Sequence, residues 1–388
     1  MRLGVMVSRG EDAETAKVVL AAMKTATGFQ MTKPLLLKSL ASKEKVLGAS
    51  HPEVGQLCVL LGNLCRKQGD MVHARQHLMR AFTIFESSLG RNDPMTGNTS
   101  YSLGMLLGTL GELTESERFL RLCVLNREHC KPNSAFLADA LFNHAVSLKK
   151  LQQYAEAEAV LKRSIEIREK LEPVDELRLA AACNALGAVY QAIGQRETAV
   201  AHLHRGLNLR RKLLGEDHLE VAMGCNNLGT VLHLLGRNSE ARPMLEQCLR
   251  VWERHFGPDH EKVALVQSNL ALVMRQEGDA DGSRKLLEKS LAVRERSLGN
   301  ADRRVAKSAE ALGNLLVEMG DKQQGQAMLE KSVEVFHNEE VLLAKRAKEA
   351  AVAQANKEAE EANQQLAAKK IQSRARGMSG RKRAKDVK

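Results

Sequence analysis

The chain has 388 residues and a net charge of +11, with 7 prolines, 3% aromatic residues and 7 cysteines. That length exceeds one ordinary core, and usage dominated by Leu, Ala, Glu, Lys and Arg favours an elongated helical array over sandwiches or barrels. No stretch approaches the roughly 20 apolar residues a membrane span needs, and the apolar run of MRLGVMVSRGED is too short for a secretory leader. A soluble, cytoplasmic protein is expected. The odd cysteine count without metal-ligand spacing predicts reduced thiols that serve packing. The positive charge is concentrated at one end: residues 366–388 carry nine Lys or Arg against one acid, Asp386. Nucleic acid is therefore disfavoured as a partner of the nearly neutral body.

After a short tail (1–11), three columns repeat with a spacing of 42 residues that shortens once to 41. The first is Gly48, Gly90, Pro132, Pro173, Gly215, Gly257 and Gly299. The second is Gly69, Gly111, Gln153, Gly194, Gly236, Gly278 and Gly320. The third is Ser39, Ala81, Cys123, Ser164, Gly206, Cys248, Ser290 and Ser332, with no large side chain in it. Each period holds two apolar-periodic stretches separated by the second column, which predicts helix, tight turn, helix. The small-residue column predicts a close helix crossing. Pro34 and Pro243 share a column placed near the start of second helices, and Ser50, Asp217 and Asp259 are expected N-caps. Seven hairpins start near Pro52, Pro94, Phe136, Leu177, Leu219, Glu261 and Arg303, after a degenerate pair from about Asp12 to Leu47.

The segments LNLRRKLLGEDHLEVAMGCNNLGTVLHLLGRNSEARPMLEQCLRV and LEKSLAVRERSLGNADRRVAKSAEALGNLLVEMGD resemble the long-helix tetratricopeptide repeats of kinesin light chains and their relatives. The resemblance runs from about Leu35 to His337. It implies an all-α, right-handed superhelical solenoid of about eight 42-residue hairpins, occupying residues 12–337, with an extended groove walled by first helices. With the Leu column (Leu61, Leu103, Leu186, Leu228, Leu270, Leu312) turned inward, the groove residues are expected to be Asn63, Asn143, His144, Asn184, Asn226, Asn227, Asn269, Arg275 and Asn314, with Lys67, Lys150 and Lys307 nearby. An Asn amide both donates and accepts, so a ladder of them suits the backbone of an extended peptide. The cations favour an acidic ligand.

Residues 338–368, Ala- and charge-rich without Gly or Pro, are expected to form one long exposed helix. Residues 369–388 follow, and AAKKIQSRARGMSGRKRAK fills the fixed positions of an IQ motif with Ile371, Gln372, Arg376, Gly377 and Arg381. That resemblance implies calmodulin or a related EF-hand protein as partner. Ile371, Ala375 and Met378 share a helical stripe ringed by Lys369, Lys370, Arg374, Arg376 and Arg381, which suits an acidic, Met-lined groove. Lys369-Lys370 with RKRAK also fits a bipartite nuclear import signal. No Walker loop, Rossmann fingerprint, nucleophile elbow or zinc-protease motif occurs, and His73 and His77 lack a third ligand. The expectation is a non-enzymatic adaptor without a cofactor, cytoplasmic and cytoskeleton- or cilium-associated. The alternatives are a nuclear-shuttling scaffold and a structural spacer.

Overall fold

The computed structural model describes residues 26–338 together with Glu340, Val341, Ala344, Lys345, Lys348, Glu349 and Val352, with side chains from Lys33 onward. All regular structure among the described residues is helical: α1 (Ala26–Leu47), α2 (Pro52–Lys67), α3 (Met71–Ser88), α4 (Pro94–Leu110), α5 (Leu113–Cys130), α6 (Ala135–Lys150), α7 (Tyr154–Lys170), α8 (Glu176–Ala192), α9 (Arg196–Leu214), α10 (Leu219–Leu234), α11 (Asn238–Phe256), α12 (Glu261–Gln276), α13 (Ala280–Leu298), α14 (Arg303–Glu318) and α15 (residues 322–338). These are the helical hairpins that the 42-residue period predicts. The tail 1–11, most of the degenerate pair's first helix and the IQ segment lie outside the described residues, as does most of 338–368.

The helices form two compact units that divide after Met244, inside α11. In the first, α2 packs on α3, α4 on α5, α6 on α7 and α8 on α9, and each second helix packs on the first helix of the next hairpin. First helices also touch their successors, α4 with α6, α6 with α8 and α8 with α10, whereas comparable contacts do not join α3 with α5, α5 with α7 or α7 with α9. First helices therefore lie at the smaller radius and form the inner wall of this unit. In the second unit α12 packs on α13 and α13 on α14, around Ala271, Leu287, Val305, Leu312 and Leu316.

Glycines explain how the two helices of a hairpin approach. A Cβ on Gly62, Gly104 or Gly187 would lie 2.7, 2.5 or 2.6 Å from the Cγ of Leu78, Leu120 or Leu203 on the facing helix. The expected small column behaves likewise: a Cβ on Gly206 would meet the Ala180 carbonyl at 2.9 Å. Where the column holds serine, the hydroxyl donates to that carbonyl, from Ser164 to Ala138 at 2.8 Å and from Ser290 to Ala264 at 2.7 Å. Close crossing and hydroxyl bonding thus use the same position.

Each hairpin turn closes with an N–H to C=O bond spanning five residues, from Asp70 to Cys65, Glu112 to Leu107, Gln153 to Leu148 and Gln195 to Tyr190. This ladder corrects the sequence alignment at one place. The left-handed residue equivalent to Gly111 (φ 81°) is Gln152 (φ 62°), not Gln153. The one-residue deletion therefore lies between α5 and α6, in the loop that begins with Lys131, and not after α7. Two further expectations shift. The N-caps are His51, His218 and His260, one residue beyond those expected, and each Nδ1 accepts from the N–H two residues on. Pro34 and Pro243 lie within α1 and α11 and not at their starts.

Candidate functional site

The inner wall of the first unit presents the positions one and two residues before the Leu column. Asn143 on α6 donates from Nδ2 to the Tyr101 hydroxyl on α4 at 2.8 Å, and to the Asp139 carbonyl at 2.9 Å. Two repeats along, Asn227 on α10 donates to Oδ1 of Asn184 on α8 at 3.0 Å. In the corrected register these two side-chain bonds join the same pair of columns. The half-buried asparagines therefore link successive first helices, and the second bond engages one group of each amide, leaving Asn184 Nδ2 and Asn227 Oδ1 at the face.

One expected groove residue is elsewhere. His144 is 3% exposed and its Nε2 lies 3.0 Å from Glu117 Oε1 on α5. With the deletion placed before α6, His144 falls in the Leu column itself, beside Leu103 and Leu186, so it belongs to the hairpin interior. Asn226, two residues before Leu228 and so in the column of Tyr101 and Asn184, is 8% exposed. Asn63 on α2 is half-buried, three residues beyond the Asn143-equivalent position, hence on the same face one turn along. Lys67 and Lys150 are exposed at the ends of α2 and α6.

In the second unit Asn269 on α12 is half-buried, while Asn314 and Lys307 on α14 are exposed. Arg275 is committed to Glu318: Nε bonds Oε2 at 2.7 Å and Nη2 bonds Oε1, a bidentate fork between the first helices α12 and α14. Its charge is therefore largely neutralised within the wall.

Sequence reasoning missed a column beneath this face: Phe85, Arg127, Arg168, Arg210, Trp252, Arg294 and Phe336, repeating at the 42-residue spacing with the same single 41. Its four arginines are 8%, 3%, 3% and 6% exposed. Arg127 bonds Asn98 Oδ1 at 3.1 Å and lies 5.3 Å from the Tyr101 ring and 5.4 Å from that of Phe136. Arg168 bonds Asp139 Oδ1 at 2.8 Å, and the other oxygen of that carboxylate receives Arg178. Arg294 donates to the Arg304 carbonyl and the Ser308 hydroxyl. Burial pushes the guanidinium pKa of Arg210 and Arg294 below the ordinary arginine value. Periodic Arg among apolar residues was the signal available, and a buried charge needs a partner that only the fold identifies.

Among the described residues no three His, Cys, Asp or Glu are grouped to hold a metal, and no helix is long and apolar enough to cross a membrane. His73 Nδ1 is taken by the Asp70 carboxylate, at 2.8 Å from Oδ2.

Repeated hairpins, small-residue crossings and an asparagine-bearing inner wall define a helical-repeat interaction protein. The sequence model of the tetratricopeptide repeat matches residues 55–128, 136–211, 177–254, 221–282 and 262–337, and the chain belongs to that family. No curated protein matches it. Among solved structures it is similar to the apo form of the quorum sensor NprR from B. thuringiensis, at 16% identity over 85% of this chain and 89% of that one, with a TM-score of 0.60. The apo form of RapI shares 14% identity over 73% and 97%, with a TM-score of 0.57. A putative kinesin light chain of Podosopora anserina shares 21% over 52% and 95%, with a TM-score of 0.46. At these identities the first two likenesses bear on fold alone.

Proposed function

We propose that this protein is an adaptor that grips an extended segment of another protein along its first-helix face, and carries a calmodulin-type EF-hand protein on its basic tail. The observation that carries the first part is the repeated bridge between first helices, Asn143 to Tyr101 and Asn227 to Asn184. It fixes amide groups in orientation along the wall while leaving an N–H and a C=O group to pair with a peptide backbone. Membership of a family whose repeats are in general protein-interaction modules supports the same reading. Exposed Lys150 and Lys307 favour an acidic segment.

Pull-down with wild type and an Asn184→Ala/Asn227→Ala variant tests the face. The expected outcome is loss of a discrete set of partners with the helical content unchanged. An identical partner set would leave the repeats as a structural spacer.

The tail reading rests on Ile371, Gln372, Arg376, Gly377, Met378 and Arg381, and is tested by titrating a peptide of residues 366–388 with calmodulin, with and without calcium. Submicromolar binding lost on Ile371→Ala and Arg376→Ala supports it. Equal binding by both peptides would reduce the tail to its charge. The second reading, a nuclear import signal, is favoured by the spacing of Lys369-Lys370 to RKRAK and predicts nuclear accumulation lost on neutralising Arg381, Lys382 and Arg383.

A further inference from the structure

Besides the residue four before the arginine (Cys123 for Arg127, Ser164 for Arg168, Gly206 at Arg210) and the Arg304 carbonyl at Arg294, two kinds of position supply side-chain acceptors to the buried arginines. The first lies 29 residues before the arginine, on the first helix of the same hairpin: Asn98 for Arg127 and Asp139 for Arg168. The second lies 14 residues after it, on the first helix of the next hairpin: Ser308 for Arg294. At Arg210 both positions are truncated. Ala181 stands where Asn98 and Asp139 stand, and Gly224 stands where Ser308 stands.

Gly224 stands beside the guanidinium: a Cβ built there would lie 3.0 Å from Leu207 Cδ1 and 3.7 Å from Arg210 Nη1. Arg210 is 3% exposed, and its Nε and Nη1 make no hydrogen bond. The Glu220 carboxylate lies 3.4 Å from Nε, but it is half exposed and does not meet hydrogen-bond geometry. Buried guanidinium N–H groups without hydrogen bonds are costly, because each forfeits its water without replacement.

The location of these truncated positions is set by the repeat. Arg127 lies against the ring of Tyr101, whose hydroxyl receives Asn143 at the inner wall. Arg168 shares the Asp139 carboxylate with Arg178, which is half exposed. The arginine column therefore runs directly under the face, and Arg210 lies under the stretch of wall formed by Ala181 and Asn184 on α8.

We propose that the wall at Ala181 is a subsite for an Asp or Glu side chain of the bound segment, whose carboxylate takes on Arg210 the place that Asp139 takes on Arg168. The proposal rests on the reading of the first-helix face as a peptide site, and adds to it a single acidic anchor at one position. Asn184 and Asn227 hold the backbone beside the anchor, and Arg210 selects the residue. A charge-assisted pair in a desolvated slot discriminates carboxylate from amide by at least about tenfold.

The test uses the full chain and a displayed library of random dodecapeptides at about physiological salt, which screens interactions beyond roughly 8 Å. Wild type is expected to enrich peptides with Asp or Glu at one fixed position. Ala181→Asp supplies the carboxylate from within, so it is expected to abolish that enrichment and to raise the melting temperature by several degrees. Arg210→Met, which keeps the volume and removes the charge, is expected to lose the enrichment as well. The basic tail is common to all three chains, so any general preference for acid cancels in the comparison. Enrichment of peptides with no acidic position, or with the same acidic position in wild type and Ala181→Asp, overturns the anchor and leaves the groove standing. Enrichment of no peptide removes groove and anchor together. A melting temperature that is unchanged or lowered in Ala181→Asp overturns the anchor on structural grounds alone, because it shows that position 181 does not face Arg210.

Discussion

Asp139 holds two guanidinium groups, the buried Arg168 and the half-exposed Arg178. Removing it leaves a buried charge without its acceptor, so Asp139→Ala is expected to lower stability by about 3 kcal/mol in urea unfolding. Asp139→Asn should cost about a third of that, because Asn98 shows an amide oxygen satisfying Arg127 in the same geometry. Asp302 caps α14 and receives Nε, Nη2 and the backbone N–H of Arg304. The Arg304 guanidinium first, then that N–H, hold its carboxyl down at about 2. The sign follows from linkage. A carboxyl whose folded pKa is depressed contributes stability above its unfolded value, about 3.9, and loses it as pH falls toward 2. The stability gap between wild type and Asp302→Ala, about 1 kcal/mol at pH 5, should therefore close by pH 2 in chemical denaturation.

At the scale of one hairpin, the turn decides the register of everything after it. Six of the seven turns use glycine at φ between 76° and 93°, whereas α6 and α7 are joined through Gln152 at φ 62°. A side chain in that left-handed conformation is destabilising by roughly 1–2 kcal/mol, part of which glycine returns as unfolded-chain entropy. Gln152→Gly is accordingly expected to stabilise the chain by about 0.5–1 kcal/mol, seen as a higher midpoint in urea, while the same change at Gln153 should not. That contrast also checks the corrected alignment, from which His144 follows as an interior residue. A helix advances 100° per residue, so a shift of one was enough to move His144 from the Leu column to the expected groove. The hydrophobic pattern did not reveal the slip, because a spacing of 42 from Leu103 puts Ala145, itself apolar, in the Leu column.

At the scale of the whole chain the thiols report on both units at once. None of the seven cysteines forms a disulfide, and six are buried, while Cys130 at the end of α5 is partly exposed. Burial pushes the Cys225 thiol up to about 11, which further suppresses its thiolate at neutral pH. A thiol reagent at pH 8 should therefore label one cysteine per native chain quickly, and peptide mapping should find it at Cys130. All seven should react in denaturant.

The period, the helical hairpins and the small crossing column were legible in the sequence, because 42-residue spacing and steric demand act on residue type directly. The asparagines at 143, 184 and 227 were legible as a set for the same reason. Their pairing was not, since a bond between α8 and α10 depends on how two helices remote in sequence lie side by side. The arginine column was visible as spacing and silent as chemistry. Whether a buried guanidinium finds a side-chain acceptor across the helices depends on residues 29 before it and 14 after it, and only the packed hairpins bring Asn98, Asp139 and Ser308, or the small Ala181 and Gly224, to the positions where that is decided.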